Sequence, residues 1–192
     1  MNICVYGASS DSIDEVYISA VEALGEELAR RGHTLIFGAG GSGCMGASAR
    51  GAARAHGKII GIVPDFFEVD GFLYEHCTEL LKTDTMRERK RMLEEYADAF
   101  IVAPGGIGTF DEFFEVLTLK QLNRHSKAIA VFNANGYYDD MEKLLNKVVD
   151  ENFAKRDTLE LVRFFDSIDE IFDYIENYKA KEFSVEEMKH IH

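Results

Sequence analysis

The sequence predicts an α/β protein with a doubly wound, mostly parallel sheet of about six or seven strands and helices on both faces. Short apolar runs rich in β-branched residues alternate with longer stretches of helical periodicity, which is typical of parallel strands joined by crossover helices. The 192 residues are 46% hydrophobic and include two prolines, and no linker or repeat interrupts them. We therefore expect one domain over residues 1–192.

The predicted elements place the prolines and the glycine-rich loops of the chain on one edge of the sheet. Strands are predicted near residues 3–6, 34–37, 59–63, 79–82, 99–103, 128–132 and 163–165, and helices over residues 13–31, 44–56, 86–96, 110–123, 137–151 and 168–178. Both prolines, Pro64 and Pro104, and the glycine clusters at residues 38–46 and 105–108 follow strands directly. Open α/β sheets bind ligands at the carboxyl ends of their strands, so we expect the site there.

The charge of the chain excludes polyanionic partners. It carries 21 basic and 34 acidic residues, for a net charge of -13 with histidine neutral. A field of this sign repels nucleic acid and the anionic surface of a membrane. We expect any phosphorylated ligand to be a small molecule, held by local positive charge and backbone N–H groups.

The cysteines and the apolar runs predict a reduced, cytoplasmic protein. Cys4, Cys44 and Cys77 lie far apart and form neither a CxxC motif nor a zinc-like pattern with the six histidines, so no metal site is predicted. No apolar run approaches the roughly 18 residues that span a bilayer. The opening MNICVYG enters a strand directly and does not resemble a signal peptide.

The first glycine-rich loop, residues 38–46, follows a strand and opens a helix. It matches GxGxxG in two registers, from Gly38 and from Gly41. Two interpretations stay open: a phosphate site at the helix start, or a tight turn with close helix packing. A dinucleotide site is disfavoured for two reasons. The loop follows the second strand of the chain and not the first, and no acidic residue stands at the end of the next strand to bind a ribose. An ATPase loop is excluded because the Walker lysine is missing.

The second loop, residues 104–112 (PGGIGTFDE), brings Thr109 and Glu112 to a helix start. One interpretation is a capping box, in which the Glu112 carboxylate accepts from the N–H of the N-cap residue. The same spacing recurs at four other places in the chain, from Ser12, Thr85, Ser167 and Ser184. The other interpretation is a catalytic carboxylate, which the glycine-rich approach at the ligand edge favours.

The helix before this loop carries the densest positive charge, with five basic and two acidic residues from 82 to 91. Helical spacing puts Arg89 in the apolar stripe and leaves Arg87 and Arg91 on the solvated face. A guanidinium facing a core costs several kcal/mol unless it meets an anion. Arg89 either pairs with an acid such as Glu112 or faces a ligand cleft with Lys90 at its rim, and the two are compatible.

The helix predicted at residues 110–123 is apolar on two sides. Its two stripes are Phe110, Phe113, Phe114 and Leu117 on one side, and Val116, Leu119 and Leu122 on the other. One stripe packs on the sheet and the other needs a second partner. A homodimer contact and burial under a neighbouring helix both explain the pattern.

Several motifs of this chain occur together, in this order and spacing, in one known family. Residues 104–112 match PGGxGTxxE, residues 86–90 are similar to M-H-x-R-K, and residues 37–46 are similar to YGGGxxGLMG. Residues 3–10 are similar to an opening strand and serine-bearing turn, and residues 136–139 match GYYD. Over roughly residues 2–153 the chain resembles the LOG family, cytokinin riboside 5'-monophosphate phosphoribohydrolases formerly described as lysine decarboxylases.

The resemblance implies a modified Rossmann fold, usually dimeric, without cofactor or required metal. It implies hydrolysis of the N-glycosidic bond of a purine nucleoside 5'-monophosphate to free base and ribose 5-phosphate. Arg89 and Glu112 match the catalytic pair. The matching substrate-contacting positions are Ser9, Gly41, Gly43, Met45, Gly46, Met86, Lys90, Gly105, Gly106, Ile107, Gly108, Thr109 and Thr118.

The chain departs from the family pattern at several positions. Arg87 replaces a histidine, Ala39 a glycine, Cys44 a leucine, Asp111 a glutamate and Leu119 a tryptophan. Arg87 and Leu119 leave open which base is preferred and how subunits meet. A family glutamate before the arginine element has Glu68 as its candidate. No lysine stands in a pyridoxal phosphate context, so decarboxylation is not expected.

Cleavage of a glycosidic bond builds positive charge on the ribose, and a carboxylate beside the anomeric carbon stabilises it. Glu112 is predicted to do this. A guanidinium keeps its proton at ordinary pH, so Arg89 is predicted to orient Glu112 and hold the nucleotide. The alternative from another class is a carrier that binds a nucleotide or phosphorylated cofactor without cleaving it.

Overall fold

The computed structural model describes residues 1–67 and 71–180, which form one seven-stranded, all-parallel sheet. The strands are β1 (Asn2–Tyr6), β2 (Thr34–Phe37), β3 (Ile59–Pro64), β4 (Glu79–Thr83), β5 (Ala99–Val102), β6 (Ala128–Phe132) and β7 (Arg163–Phe165). Their order in the sheet is β4-β3-β2-β1-β5-β6-β7. The predicted α/β fold is confirmed, with all seven predicted strands present.

Six α-helices cross between the strands. They are α1 (Glu15–Arg30), α2 (Gly43–Arg54), α3 (Met86–Tyr96), α4 (Ile107–Gln121), α5 (Asp139–Asp150) and α6 (Ile168–Glu176), with short 3-10 helices at Asp65–Phe67, Ala134–Gly136 and Arg156–Leu161. The predicted helices agree within a few residues at each end. The exception that bears on function is α4, which begins at Ile107, three residues before the predicted start at residue 110.

Side chains of the strands alternate between two hydrophobic cores, one on each face of the sheet. Along β1, Ile3 and Val5 enter the core that packs against α1, α2 and α6, whereas Cys4 and Tyr6 enter the core beneath α3 and α4. This two-sided burial is what makes central parallel strands read as continuous apolar runs. It also confirms the doubly wound arrangement.

Helix α4 buries a different face from the one predicted. Phe113, Val116 and Leu117 all enter the core, so residues from both predicted stripes share the sheet-facing side. Ile107 and Phe114 are 81% and 39% exposed in the single chain. The division into the two predicted stripes was wrong, because Phe113, Val116 and Leu117 stand at positions i, i+3 and i+4, which lie on the same side of a helix.

The strand order reverses between β1 and β5, the neighbours at the centre of the sheet. The chain first winds outward from β1 to β4 and then returns beside β1 to build β5, β6 and β7. The loops after β1 and β5 therefore diverge and leave a crevice at their carboxyl ends. Pro104 and the second glycine cluster follow β5 into this crevice.

Candidate active site

A cavity of about 400 Å³ opens at this crevice. Segments that follow β1, β2, β3 and β5 contribute to its wall, together with side chains of α2, α3 and α4. The lining residues are Gly7, Ala8, Ser9, Ser10, Gly38, Met45, Phe67, Phe72, Met86, Arg89, Gly106, Ile107, Gly108, Thr109 and Glu112. Nine residues of the predicted site are in this set, including both members of the predicted catalytic pair.

Arg89 and Glu112 meet at the floor of the cavity. Arg89 Nη1 donates to Glu112 Oε1 over 2.9 Å, and Arg89 Nε donates to the carbonyl of Ile62 over 3.2 Å. The side chains are only 8% and 14% exposed. The Glu112 carboxylate makes no other hydrogen bond within residues 1–67 and 71–180. The predicted pairing and the predicted cleft are thus both present.

Gly38 makes the room that the Arg89 guanidinium occupies. A Cβ atom at position 38 would lie 1.9 Å from Arg89 Nη2 and 3.1 Å from Met45 Sδ. A glycine after β2 therefore lets the guanidinium pass close to the backbone and reach Glu112. This is a second use of a loop glycine, distinct from the contact with phosphate considered in the sequence.

Burial and a neighbouring charge act in opposite directions on the pKa of Glu112. Burial raises the pKa of the Glu112 carboxyl above its ordinary value, and the charge of the neighbouring Arg89 guanidinium opposes that rise. The carboxyl is therefore desolvated but held next to one fixed positive charge. Such an environment suits a group that must face a developing cation and accept a proton from water.

The capping-box interpretation of Glu112 is wrong. Gly106 is the N-cap of α4 and Thr109 lies inside the helix, so the two residues do not have the positions a capping box requires. At α3 the same spacing does cap: Thr85 accepts from the Glu88 N–H, and Glu88 accepts from the Asp84 N–H. Glu112 is instead directed to Arg89.

The starts of α2 and α4 differ in whether a side chain accepts hydrogen bonds from their backbone N–H groups. At α2 the Asp11 carboxylate accepts from the N–H of Gly43 over 2.8 Å, and this bond lowers the pKa of Asp11. At α4 no side chain caps the helix, and Gly106, Gly108 and Thr109 open into the cavity. Free N–H groups at a helix start attract anions. Of these two starts, α4 is the one that can receive a phosphate.

Three glycines of the first loop shape the backbone and do not line the cavity. Gly41 donates to the carbonyl of Phe72, and Gly43 has φ +59°, with Ala8 O 2.5 Å from where a Cβ would lie. A Cβ on Gly46 would lie 1.9 Å from the Gly41 carbonyl oxygen. The turn-and-packing interpretation of this loop describes these contacts. From this loop, Gly38 and Met45 reach the cavity.

Two phenylalanines that the sequence analysis missed form an apolar wall. The rings of Phe67 and Phe72 stack with their centroids 5.2 Å apart and an interplanar angle of 12°. Met45 and Met86 also line the cavity. For Phe67 the signal was the Phe66-Phe67 pair, two residues after Pro64 at the carboxyl end of a strand, whereas no local pattern indicated Phe72. Glu68, the candidate for a family glutamate, lies outside the described residues.

Lys90 and Thr118 lie apart from the cavity. Lys90 Nζ contacts the carboxylates of Glu115 and Asp111 at 2.8 and 3.0 Å, and these two charges raise the pKa of Lys90. Both residues line a separate groove of about 520 Å³ on the outer side of α4, with Ile107, Phe110, Phe114 and Leu119. Ile107 lines both the groove and the cavity. Gly105, the remaining predicted residue, packs against Thr109 and is not among the residues that line the cavity.

Known proteins resemble this chain in sequence along most of its length. The family described as "Possible lysine decarboxylase" matches residues 45–175. A cytokinin riboside 5'-monophosphate phosphoribohydrolase of Mycobacterium marinum is 36% identical over 88% of this chain and 89% of its own. A protein of the same description from Arabidopsis thaliana is 31% identical over 93% of this chain and 84% of its own. The chain belongs to the LOG family.

The fold of this LOG-family chain also occurs in a solved structure. The molybdenum cofactor binding protein of Rippkaea orientalis has a TM-score of 0.70 at 20% identity, over 91% of this chain and 94% of its own. The two proteins therefore share a Rossmann-like fold. The family resemblance predicted from the motifs is confirmed.

Two features are absent from the part of the chain that the structure describes. No helix within residues 1–67 and 71–180 has the length and apolar character to cross a membrane. The same residues hold no group of three or more histidine, cysteine, aspartate or glutamate side chains placed to bind a metal ion. The three cysteines are unpaired.

Proposed function

We propose that this LOG-family protein hydrolyses the N-glycosidic bond of a purine nucleoside 5'-monophosphate and releases the free base and ribose 5-phosphate. The observation that carries the proposal is the buried Arg89–Glu112 pair on the floor of a cavity whose rim is the uncapped start of α4. A carboxylate and an anion site within one cavity match the two ends of a ribose 5-phosphate. The names of the relatives support the same reaction class.

The phosphate end is assigned to α4. The N–H groups of Gly106, Gly108 and Thr109 face no capping side chain and add to the positive end of the helix dipole. Arg89 lines the same cavity, where its charge balances that of Glu112 and leaves no net negative charge to repel a phosphate. In a chain of net charge -13, this local concentration of positive potential selects a small phosphorylated ligand.

Glu112 is assigned to the reacting carbon. As the C–N bond breaks, its electron pair leaves with the purine, which takes up a proton, and the ribose ring acquires oxocarbenium character. The Glu112 carboxylate stabilises that charge and accepts a proton from the water whose oxygen bonds to the anomeric carbon. Arg89 holds the carboxylate in place through its 2.9 Å hydrogen bond. No cofactor or metal enters this sequence of steps.

The base is assigned to the apolar wall. Phe67 and Phe72 present stacked aromatic rings, and Met45 and Met86 add flexible apolar surface. A flat purine stacks on such a wall without a strict demand on its exocyclic groups. Adenosine monophosphate and N6-prenylated adenosine monophosphates are therefore both proposed as substrates, in the cytoplasm.

A second copy of the chain is proposed to cover the outer face of α4. Ile107 and Phe114 are exposed there, next to the groove that Lys90 and Thr118 line. Ile107 belongs to both the groove and the cavity, so a homodimer through this face would border the nucleotide site. Such an arrangement would bring Lys90 and Thr118 toward substrate, as their family positions predict.

The test is to incubate the purified protein with adenosine monophosphate and to follow free adenine and ribose 5-phosphate by chromatography. A panel of nucleoside monophosphates, including an N6-prenylated one, then ranks the bases. Glu112→Gln keeps the shape of the side chain and is expected to lower turnover by about a hundredfold or more, as the loss of a transition-state charge does. Its circular dichroism spectrum should stay that of a folded protein.

The same incubation distinguishes a hydrolase from a carrier that binds a nucleotide without cleaving it. A nucleotide that binds and is recovered intact after long incubation contradicts the hydrolase and supports a carrier. Full turnover by Glu112→Gln contradicts the role of the carboxylate even if the wild type is a hydrolase.

A further inference from the structure

Three consecutive carbonyl groups in the loop after β5 are held by hydrogen bonds. Tyr138 Oη donates to the Ala103 carbonyl over 2.8 Å, and the Ala8 N–H donates to the Pro104 carbonyl over 3.0 Å. Tyr137 Oη donates to the Gly105 carbonyl over 2.7 Å. The two tyrosines belong to the GYYD segment, which follows β6 and lies outside the lining of the candidate cavity.

The bond from Tyr137 determines where a neighbouring donor points. In a trans peptide the C=O and the following N–H lie in one plane and point in opposite directions, and the described residues contain no cis peptide. A Gly105 carbonyl turned toward Tyr137 therefore turns the N–H of Gly106 to the opposite side. Gly106 lines the cavity and Tyr137 does not. No hydrogen bond to the Gly106 N–H occurs within residues 1–67 and 71–180.

Glycine makes this orientation depend on an outside restraint. Position 106 has no side chain to limit rotation, and a Cβ there would meet nothing within 4 Å. Gly105 likewise has no side chain of its own, although Thr109 packs closely against it. Within the described residues, the hydroxyl of Tyr137 is the donor that holds the carbonyl of the peptide between the two glycines.

We propose that Tyr137 is a positioning residue that directs the Gly106 N–H toward the 5'-phosphate of the substrate. This inference rests on the proposed function, since it takes the start of α4 as the phosphate site. It assigns to the GYYD segment a part in nucleotide binding, although neither of its tyrosines touches the cavity.

The chain supplies a matched control in the adjacent residue. Tyr138 makes the same kind of hydrogen bond, but the Ala103 carbonyl belongs to a peptide whose nitrogen is that of Pro104 and carries no hydrogen. The Tyr138 hydroxyl also contacts the backbone of Gly105, but its loss leaves the Gly105 carbonyl bonded to Tyr137, so the Gly106 N–H keeps its direction. Tyr138 is also 1% exposed against 40% for Tyr137, so its Phe variant leaves the more deeply buried carbonyl unsatisfied.

The experiment compares Tyr137→Phe, Tyr138→Phe and wild type by titration with ribose 5-phosphate and with adenosine, which lacks the phosphate. Tyr137→Phe should raise the Kd for ribose 5-phosphate about tenfold, as the loss of one hydrogen bond to an anion does. Its Kd for adenosine should change less than about twofold. Tyr138→Phe should leave both constants within about twofold of wild type while lowering the melting temperature more.

Turnover provides a second readout on Tyr137→Phe alone, which keeps the test valid if Tyr138→Phe does not fold. Its KM for adenosine monophosphate should rise with little change in kcat. An unchanged Kd for ribose 5-phosphate, or an equal weakening of ribose 5-phosphate and adenosine, would overturn the positioning role. The titrations need no turnover, so a protein that binds but does not cleave would contradict the proposed hydrolysis while still deciding the role of Tyr137.

Discussion

The Nη1 atom of Arg89 lies 2.9 Å from Glu112 Oε1, and this contact joins two crossovers that are separated by a strand in the sequence. Arg89 comes from α3, Glu112 from α4, and the carbonyl of Ile62 on β3 receives the guanidinium Nε. Both charges are nearly buried, so the attraction between them offsets the cost of removing each from water.

The first prediction concerns this compensation. Arg89→Met removes the positive charge and leaves the Glu112 carboxylate buried without a partner, which should lower the free energy of unfolding at neutral pH by about 3–5 kcal/mol. The double variant Arg89→Met/Glu112→Gln removes both charges and should regain a large part of that loss. Urea unfolding of the wild type, both single variants and the double variant measures the coupling.

Activity should not follow stability in that series. The double variant is expected to be more stable than Arg89→Met and still release no measurable adenine, because the carboxylate is gone. A double variant no more stable than Arg89→Met would show that the two charges are not energetically coupled.

The second prediction concerns the glycine beneath the guanidinium. Gly38→Ala would place a Cβ 1.9 Å from Arg89 Nη2, so the guanidinium must shift away from Glu112. We expect a loss of about 1–3 kcal/mol in the free energy of unfolding, as overpacking costs, together with slower base release. Gly108→Ala is the stability control, since its Cβ would meet nothing within 4 Å and alanine favours the helix. Equal melting temperatures for wild type and Gly38→Ala would contradict the packing argument.

The third prediction concerns the outer face of α4. Phe114→Glu places a charge in the proposed subunit contact and should halve the mass measured by light scattering. Phe153→Glu is the matched control, because Phe153 is 83% exposed and does not line the groove on α4. A wild-type protein that is already monomeric at micromolar concentration would contradict the proposed dimer.

The fourth prediction concerns the pH dependence of stability. Burial lowers the pKa of His125 from 6.5 to about 4. The neutral ring fits its surroundings, since Nε2 lies 2.8 Å from the carbonyl of Val116 and Nδ1 accepts from the N–H of Lys127. A second ring proton would have to face that N–H, so the folded state resists protonation.

The unfolded chain takes up this proton below about pH 6.5 and the folded chain only near pH 4. His125 therefore contributes full stability above pH 6.5, and that contribution is lost as the pH falls to about 4, at most about 3 kcal/mol. The difference in unfolding free energy between wild type and His125→Gln should shrink or reverse over this range. A difference independent of pH would contradict the assignment to His125.

The carboxyl-edge location of the site could be predicted because it depends on features that lie close together in sequence. Pro104 and the glycines after β5 mark the end of a strand, and helical spacing alone places Arg89 on the apolar side of α3. The motifs then indicated Glu112 as its partner. The contact that the structure shows between the two is the one that these patterns predicted.

Other parts of the site depended on contacts that local patterns do not contain. The capping spacing at Thr109 and Glu112 is the same as at Thr85 and Glu88, yet only the second pair caps a helix. The difference is a buried guanidinium that arrives from another helix. In the same way, the wall made by Phe67 and Phe72 forms only where Phe72 is brought beside the loop after β2, through the bond from the Gly41 N–H to its carbonyl.

The amino-acid order alone determined the succession of strands and helices, because periods of two and of 3.6 residues are local properties of a chain. It also placed the glycine-rich turns at the ligand edge. Tertiary structure decided which charges meet, which helix start stays open to an anion and which face of α4 is left uncovered. Those outcomes depend on how elements distant in sequence pack, and the free energy of each buried charge is set by neighbours that arrive only with the fold.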